Sequence, residues 1–216
     1  MASPAKMMEV CDDVLVFENV VQKTDPYLHI LSPQFYSEPF ADTLLAWMEN
    51  QTDWNLHDSL HYQQYELGFS RFAHCKEIEG LWDGDVLAGI RDRAARAFGV
   101  PLSSRINISA HKMVPGQHGY IHTDKIPHET HRVVVTLNRG RPADSGGNLV
   151  LLSGPKPADV AVVLKQISNT ACGFALDSKS YHAITRVKTA TRFTVIYTFL
   201  SDAVMDLPNP NFFVAS

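Results

Sequence analysis

The stretch RFTVIYTFL, residues 192–200, mixes β-branched and aromatic residues and begins with an arginine. Such a run is typical of a β-strand. Four further strand-like runs precede it: RINISAHKMV (105–114) alternates, HRVVVTLN (131–138) is β-branched, and NLVLL (148–152) and CGFAL (172–176) are short and apolar. Segments rich in Gly, Pro, Asp and Ser separate them. This pattern favours a sandwich, barrel or jelly roll over a parallel α/β sheet.

Two helices are predicted ahead of these strands. EPFADTLLAWMEN (38–50) has an apolar stripe at helical spacing and follows Ser37, a suitable N-cap residue. GDVLAGIRDRAARAF (84–98) has a similar stripe and is followed by Gly99, a typical helix terminator. The predicted fold class is therefore mainly β with flanking N-terminal helices (α+β).

We expect one domain, because 216 residues of which 45% are hydrophobic suffice for one well-buried core. Its predicted parts are N-terminal strands and bracing helices over about 1–104, a β-rich catalytic core over about 105–200, and a C-terminal tail over 201–216.

The composition narrows the partners and the compartment. The net charge of −4 argues against a nucleic-acid surface, and no apolar run approaches the roughly 20 residues that span a bilayer. Three scattered cysteines without a CxxC pair, and an N-terminus without a signal pattern, predict a reducing, cytoplasmic location. Monomer and homodimer both stay open.

The triplet His-Thr-Asp at 122–124 suggests a metal site. Alone it is a weak signal in a chain with ten histidines. Residues i and i+2 at a strand end point the same way, so His122 and Asp124 can converge on one point. Two ligands hold a metal poorly, and His182, in a turn ahead of the last strand, is the candidate third. A 2-His-1-carboxylate set with open positions is typical of non-haem Fe(II).

Arg192 lies ten residues after His182 and opens an otherwise apolar strand. An arginine there is costly to bury unless it meets an anion, and its planar fork suits a carboxylate. Thr194, two residues further on, faces the same side and can add a hydroxyl to the same carboxylate. The sequence thus predicts an anion anchor near the metal site.

Four segments in this order resemble the Fe(II)/2-oxoglutarate-dependent dioxygenases, most closely their prolyl-hydroxylase-like branch. The segments are PGQHGYIHTD (115–124), VVVTLN (133–138), SGGNLVLL (145–152) and HAITRVKTATRFTV (182–195). The resemblance implies a double-stranded β-helix, the cupin-like jelly roll, with flanking helices.

The resemblance also implies a cofactor set and residue roles. Fe(II) would be bound by His122, Asp124 and His182. The cosubstrate 2-oxoglutarate would chelate the iron and pair its distal carboxylate with Arg192, aided by Thr194. With O2 as oxidant, succinate and CO2 would be the co-products, and we expect no catalytic residues beyond the metal ligands.

Two positions depart from the family pattern, and the milder departure is Ala190, which stands where the family usually has a glycine two residues before the anchoring arginine. The family often has a tyrosine on the strand ahead of the Pro-Gly turn, where it reaches 2-oxoglutarate. Met113 stands near that place here, with His111 on the same strand face. We expect His111 or Asn107 to substitute for the tyrosine.

Substrate contacts are predicted from two segments. LHYQQYELGFSRF (60–72) alternates polar and aromatic residues, and from it we select Tyr62, Gln64 and Arg71. The loop that contains His128 and Glu129 lacks the spacing of a helical zinc motif, so we expect it to cover the site and His128 to touch substrate.

The predicted activity is hydroxylation of an unactivated C–H bond in a free or carrier-held amino acid, a peptidyl residue or a small natural product. Nucleic acid is not an expected substrate. Two alternatives stay open: a non-catalytic jelly-roll protein that binds a metal or small ligand, and a zinc hydrolase that uses the same three ligands.

Overall fold

The computed structural model describes residues 13–142, 144–201 and 212–214. The helices are α1 (Glu38–Asn50) and α2 (Gly84–Phe98), and short 3₁₀ segments span Phe69–Phe72, Lys76–Leu81 and Pro157–Asp159. The strands are β1 (Val21–Lys23), β2 (His29–Ser32), β3 (Asn55–Asp58), β4 (Gln63–Gly68), β5 (Arg105–Met113), β6 (Gly119–His122), β7 (Glu129–Leu137), β8 (Leu149–Leu152), β9 (Val160–Leu164), β10 (Ala171–Ala175), β11 (His182–Ile184), β12 (Arg192–Leu200) and β13 (Phe212–Val214).

The strands form two antiparallel sheets. The larger sheet has the order β1-β2-β10-β7-β12-β5-β4-β3, and β13 pairs with β5. The smaller sheet has the order β6-β11-β8-β9. The prediction of a mainly β protein with N-terminal helices is confirmed. Within the described ranges, no helix has the length and apolar content needed to cross a membrane.

The larger sheet presents a different chemistry on each face, because side chains alternate along a strand. Phe193, Val195, Tyr197 and Phe199 of β12 join the main hydrophobic core. The intervening positions face the smaller sheet, and they are less apolar. Three of them are Arg192, Thr194 and Thr198, all buried. Polar groups are therefore concentrated between the two sheets.

The two helices cover the apolar face of the larger sheet. Leu44, Leu45 and Met48 of α1 belong to the same core cluster as Val86 and Ile90 of α2. Burial of these side chains at helical spacing is what the sequence pattern predicts.

The helix ends follow from local residues. The carboxylate of Asp83 accepts hydrogen bonds from the backbone N–H groups of Asp85 and Val86, and Gly99 ends α2 with a φ of 72°, in the left-handed region. Ser37 precedes α1, but its hydroxyl donates to the Asp13 carbonyl instead of capping the helix. The predicted helix bounds are nonetheless those of the structure.

Asn169 joins the loop before β10 to the segment that leads into α1. Its side-chain oxygen accepts from the Tyr36 backbone N–H at 2.9 Å, and its amide donates to the Tyr36 carbonyl at 2.8 Å. Asn169 is only 3% exposed and has a φ of 60°. The side chain thus provides the acceptor for the buried Tyr36 N–H and a second donor for the Tyr36 carbonyl, which also accepts from Gln34 Nε2 at 3.3 Å.

We predict that Asn169→Ala lowers the free energy of unfolding by about 1–3 kcal/mol, because the buried Tyr36 N–H loses its acceptor. Urea denaturation monitored by circular dichroism measures this. Asn169→Gly tolerates the positive φ, so a similar loss in both variants would assign the effect to the hydrogen bonds. Asn50→Ala, at an exposed asparagine, should change stability by less than about 0.5 kcal/mol; an Asn169→Ala effect equally small would contradict the assignment.

Candidate metal centre

The pairing of β6 with β11 brings two distant histidines together. His122 ends β6, His182 begins β11, and the two residues are direct antiparallel partners. Side chains of directly paired residues lie on the same face of a sheet. The two imidazole rings consequently lie with their centroids 4.4 Å apart.

Asp124 completes a group of three. Its Oδ1 lies 3.3 Å from Nε2 of His122, and its Oδ2 lies 3.2 Å from Nε2 of His182. One ligand atom from each of the three residues lies within 4.8 Å of the other two. His182 is buried, while His122 and Asp124 are half-buried at the edge of a cavity. Imidazole nitrogens and a carboxylate are ligands for Fe, Zn or other transition metals.

Backbone carbonyls orient both imidazoles. Nδ1 of His122 lies 2.7 Å from the Tyr120 carbonyl, and Nδ1 of His182 lies 2.9 Å from the Ser180 carbonyl. Because a carbonyl only accepts, each Nδ1 carries a proton and donates. In the neutral imidazole this leaves the Nε2 lone pair directed at Asp124 and at the centre of the group. Metal-binding histidines are commonly oriented in this way.

Arg132 introduces a positive charge beside this group. Its Nη1 contacts Oδ2 of Asp124, and its Nη2 lies 2.8 Å from Oε2 of Glu129. In the metal-free protein, burial raises the pKa of Asp124, but hydrogen bonds that His122 and His182 donate through Nε2 when doubly protonated, together with the charge of Arg132, outweigh burial and hold the pKa far below its usual range. Asp124 is thus a carboxylate at any working pH, as a metal ligand must be.

A cavity of about 190 Å³ lies next to the three residues, between the two sheets. Of the residues predicted to bind cosubstrate or substrate, those that line it are Tyr62, Gln64, His111, Arg192 and Thr194. The cavity therefore connects the candidate metal centre with the predicted anion anchor.

Arg192 is buried without a carboxylate partner. Its side chain donates to Oε1 of Gln166 at 2.9 Å and to Oγ1 of Thr194 at 3.4 Å. Among the described residues, no aspartate or glutamate forms an ion pair with it. Burial, and then the charge of Arg141, lower the pKa of Arg192 to about 9, so the guanidinium stays protonated at neutral pH. A buried cation without a counter-ion is destabilising, and an anion bound beside it would offset that cost.

A second arginine, Arg141, lies behind Arg192. Its Nη2 donates to the Ala190 carbonyl at 2.8 Å, while its Nε and Nη1 are buried without a hydrogen-bond partner in the described part of the chain. The backbone passes between the two arginines at Gly147, where a Cβ would lie 3.2 Å from both Arg141 Nη1 and Arg192 Cδ. Gly147 also has a φ of 68°, so both its backbone conformation and the close approach of the two arginines favour glycine at this position.

His111 lies in the cavity wall beside Gln64 and Glu66. The Gln64 amide nitrogen donates to Oε1 of Glu66 at 2.9 Å and lies 3.0 Å from Nδ1 of His111. Because an amide nitrogen only donates, Nδ1 of His111 is the acceptor and its Nε2 carries the proton. Burial lowers the pKa of His111 to about 4, with Glu66 acting in the opposite direction. His111 is therefore a neutral hydrogen-bonding group.

The other predicted residues lie outside the cavity wall. Asn107 is on β5 opposite Thr198, four residues before His111. Arg71 is exposed on a 3₁₀ segment, 3.5 Å from Asp53. His128 is exposed in the loop before β7, with a φ of 73°.

Sequence reasoning did not select Arg132 or Arg141, and it did not select Glu66. A signal for Arg132 exists, because it opens the apolar run RVVVTLN as Arg192 opens RFTVIYTFL. For Glu66 and Arg141 we find no comparable sequence signal.

The sequence matches no protein-family model and no curated protein. The fold, in contrast, matches solved prolyl hydroxylases. A prolyl-4-hydroxylase from Pseudomonas putida has a TM-score of 0.67 at 12% identity, over 90% of this chain and 98% of that one. A prolyl hydroxylase from Trichoplax adhaerens, in complex with a peptide fragment of the hypoxia-inducible factor oxygen degradation domain, has a TM-score of 0.68 at 13% identity, over 96% and 99% of the two chains.

A viral collagen prolyl hydroxylase from Paramecium Bursaria Chlorella virus-1, in complex with 2-oxoglutarate, has a TM-score of 0.58 at 14% identity, over 82% of this chain and 97% of that one. The chain thus has the prolyl-hydroxylase fold along most of its length. The resemblance to that branch, predicted from the sequence, is confirmed at the level of the fold.

We predict that His111 destabilises the metal-free protein in acid. Above its ordinary pKa of about 6.5, His111 is neutral in both states and contributes nothing. As the pH falls from 6.5 towards 4, the unfolded state takes up a proton that the folded state refuses. At pH 5 the lost stability is on the order of 2 kcal/mol.

His111→Gln should therefore narrow the difference in unfolding free energy between pH 7 and pH 5. Urea denaturation in the presence of a chelator measures it at both pH values. His57→Gln is the matched control, since His57 is an exposed histidine 3.7 Å from the same Glu66. An identical pH difference in wild type and His111→Gln would contradict the assignment.

Proposed function

We propose that the protein is an Fe(II)- and 2-oxoglutarate-dependent dioxygenase that hydroxylates an unactivated C–H bond. One observation carries the proposal: two imidazole Nε2 atoms and a carboxylate converge at a cavity whose other polar end is Arg192, a buried cation without a carboxylate partner. A metal-binding protein without turnover has no need for this second element.

The donor set fits Fe(II). His122, Asp124 and His182 would hold the ion, and three of the six positions of an octahedron would remain free. Bound Fe(II) would supply the site where 2-oxoglutarate and O2 react to give succinate and CO2. The chain itself orients the ligands through the Tyr120 and Ser180 carbonyls.

Arg192 would bind the distal carboxylate of 2-oxoglutarate. Because the fold already buries Arg192, binding of 2-oxoglutarate does not have to remove water from the guanidinium. The distal carboxylate then gains a charge-assisted hydrogen bond in a site shielded from water. Thr194, which accepts from Arg192 at 3.4 Å, can donate its own hydroxyl proton to the same carboxylate. His111 lines the cavity and is the better-placed substitute for the missing tyrosine, whereas the position of Asn107 gives that role less support.

The strand order supports the proposed jelly roll. Strands β5 to β12 are eight strands that follow one another in the sequence, and we number them one to eight. In the larger sheet the spatial order is six, three, eight, one, and in the smaller sheet it is two, seven, four, five. This alternation between two sheets is that of a double-stranded β-helix. We propose a single domain in which residues 1–104 brace this core.

For the substrate, a peptidyl side chain has the most support. The Trichoplax adhaerens protein of the same fold is in complex with a peptide. The exposed apolar side chain of Ile126 lies in the cavity wall, and Tyr62 also lines the cavity, so apolar groups of a peptide would find partners there. Free amino acids and small natural products are the other candidates.

The decisive experiment is an anaerobic titration of the Fe(II)-loaded protein with 2-oxoglutarate. We expect a weak visible metal-to-ligand charge-transfer band, because chelation of iron by the keto acid produces one. His122→Ala should bind less iron and give no band, and His182→Ala should do the same. A folded, iron-loaded protein without the band would sink the proposal and favour the alternatives of a non-catalytic metal protein or a zinc hydrolase.

Arg192→Ala should weaken 2-oxoglutarate binding by about ten- to a hundredfold, the value of a hydrogen bond to a charged group. Fe(II) affinity without 2-oxoglutarate should change little, since Arg192 is not a ligand. The same titration and a separate iron-binding isotherm measure both. Arg139→Ala removes an exposed arginine and should change neither; unaltered 2-oxoglutarate affinity in Arg192→Ala would remove Arg192 from this role.

A further inference from the structure

One cation in the cavity wall is explained neither as a metal ligand nor as the cosubstrate anchor. Arg132 lies on β7, and only 14% of its side chain is exposed. Its Nε donates to Oγ1 of Thr198 at 3.2 Å, its Nη2 donates to Glu129 at 2.8 Å, and its Nη1 contacts Oδ2 of Asp124. Arg132 therefore has a partner at each nitrogen, in contrast to Arg192.

The fold holds this guanidinium in one place. Arg132 is the direct strand partner of Thr198 on β12 and of Phe174 on β10. Because Thr198 binds Nε and Glu129 binds Nη2, the planar group has little freedom to rotate. Its Nη1 is thus fixed at one oxygen of the Asp124 carboxylate.

The two carboxylate oxygens of Asp124 have different surroundings. Oδ2 receives Arg132 Nη1 and lies 3.2 Å from Nε2 of His182, while Oδ1 has Nε2 of His122 at 3.3 Å. A carboxylate can bind a metal through one oxygen or through both. An oxygen already engaged by a guanidinium is the poorer donor, so Oδ1 is the oxygen left for a metal.

The coordination mode decides how many positions stay open. Three one-atom ligands leave three positions of an octahedron, enough for a chelating keto acid and one further small molecule. If Asp124 bound through both oxygens, one of these positions would be lost. Glu129 offsets the charge of Arg132, so this control does not place an uncompensated cation beside a metal ion.

We propose that Arg132 is a positioning residue that keeps Asp124 a one-oxygen ligand and thereby preserves the third open position of the metal. The proposal rests on the proposed function only in that the three residues bind a metal. It gives β7, the strand that contains Arg132, a role in the site that is separate from metal ligation and from binding of the cosubstrate carboxylate.

The test counts the waters bound to Mn(II) in the intact protein, by broadening of the Mn(II) electron paramagnetic resonance lines in ¹⁷O-enriched water. We expect three waters in the wild type and two in Arg132→Met, in which both oxygens of Asp124 are free to bind. Arg132→Lys retains a donor and should return the count to three. Three waters in Arg132→Met would overturn the proposal.

Further variants distinguish the expected loss of a water from a general defect in folding. Thr130→Val removes a hydroxyl of β7 that donates to the Phe199 carbonyl and leaves every contact of Arg132 in place, so it should fold and keep three waters. Two waters there would show that the count follows general disturbance of β7 and would overturn the proposal. If Arg132→Met does not fold, Arg132→Leu takes its place, because leucine also lacks a donor for Asp124, with two waters expected.

The charge-transfer titration with 2-oxoglutarate is then run on the same proteins. A wild type without the band defeats the proposed function, while the water count, which uses the metal alone, still judges Arg132.

Discussion

The hydrogen-bonded register between β6 and β11 is the constraint on which the candidate site depends. It sets His182 opposite His122, although 60 residues separate them in the sequence. A slip of one residue would turn the side chain of His182 to the other face of the sheet and remove it from the group. The carbonyls of Tyr120 and Ser180, each two residues before its histidine, then fix the ring orientation. Backbone geometry therefore brings the three residues of the candidate site together and orients both imidazoles.

The larger sheet has an apolar core on one face and, on the other, polar side chains that line the cavity of the candidate site. On one face, residues such as Tyr197 and Val195 pack with the helices in the main core. On the other, the buried Arg192 and the half-buried Arg132 occupy neighbouring strands, at positions that a core built for stability alone would fill with apolar side chains. Their surroundings differ: Arg132 has two carboxylates, whereas Arg192 has none among the described residues. Arg132 therefore binds carboxylates of the protein itself, whereas Arg192 has no carboxylate partner among the described residues and is the one that could bind an external anion.

Local sequence signals predicted the helices and the main strands well, but they did not specify which strands pair with one another. The bounds of α2 follow from Asp83 and Gly99, which act through neighbouring backbone groups. His182 was selected as the third ligand from its place in a turn ahead of the last strand and from the family resemblance, because nothing near it in the sequence specifies β6 as its partner. Alternation placed Asn107 and His111 on the same face of β5, but only the neighbouring strands determine which of them lies in the cavity wall. The two carboxylate partners of Arg132 are Asp124, in a loop, and Glu129, at a strand end, and alternation does not fix either position.

The N-terminal part of the chain contributes to the site as well as supporting it. Tyr62, just before β4, forms a β-bridge with Gly119 of β6, so the hairpin of β3 and β4 is tied to the strand that ends in His122. The ring of Tyr62 lies 5.8 Å from that of His122, and Gln64 holds His111. The cavity wall therefore includes residues ahead of the predicted catalytic core at 105–200.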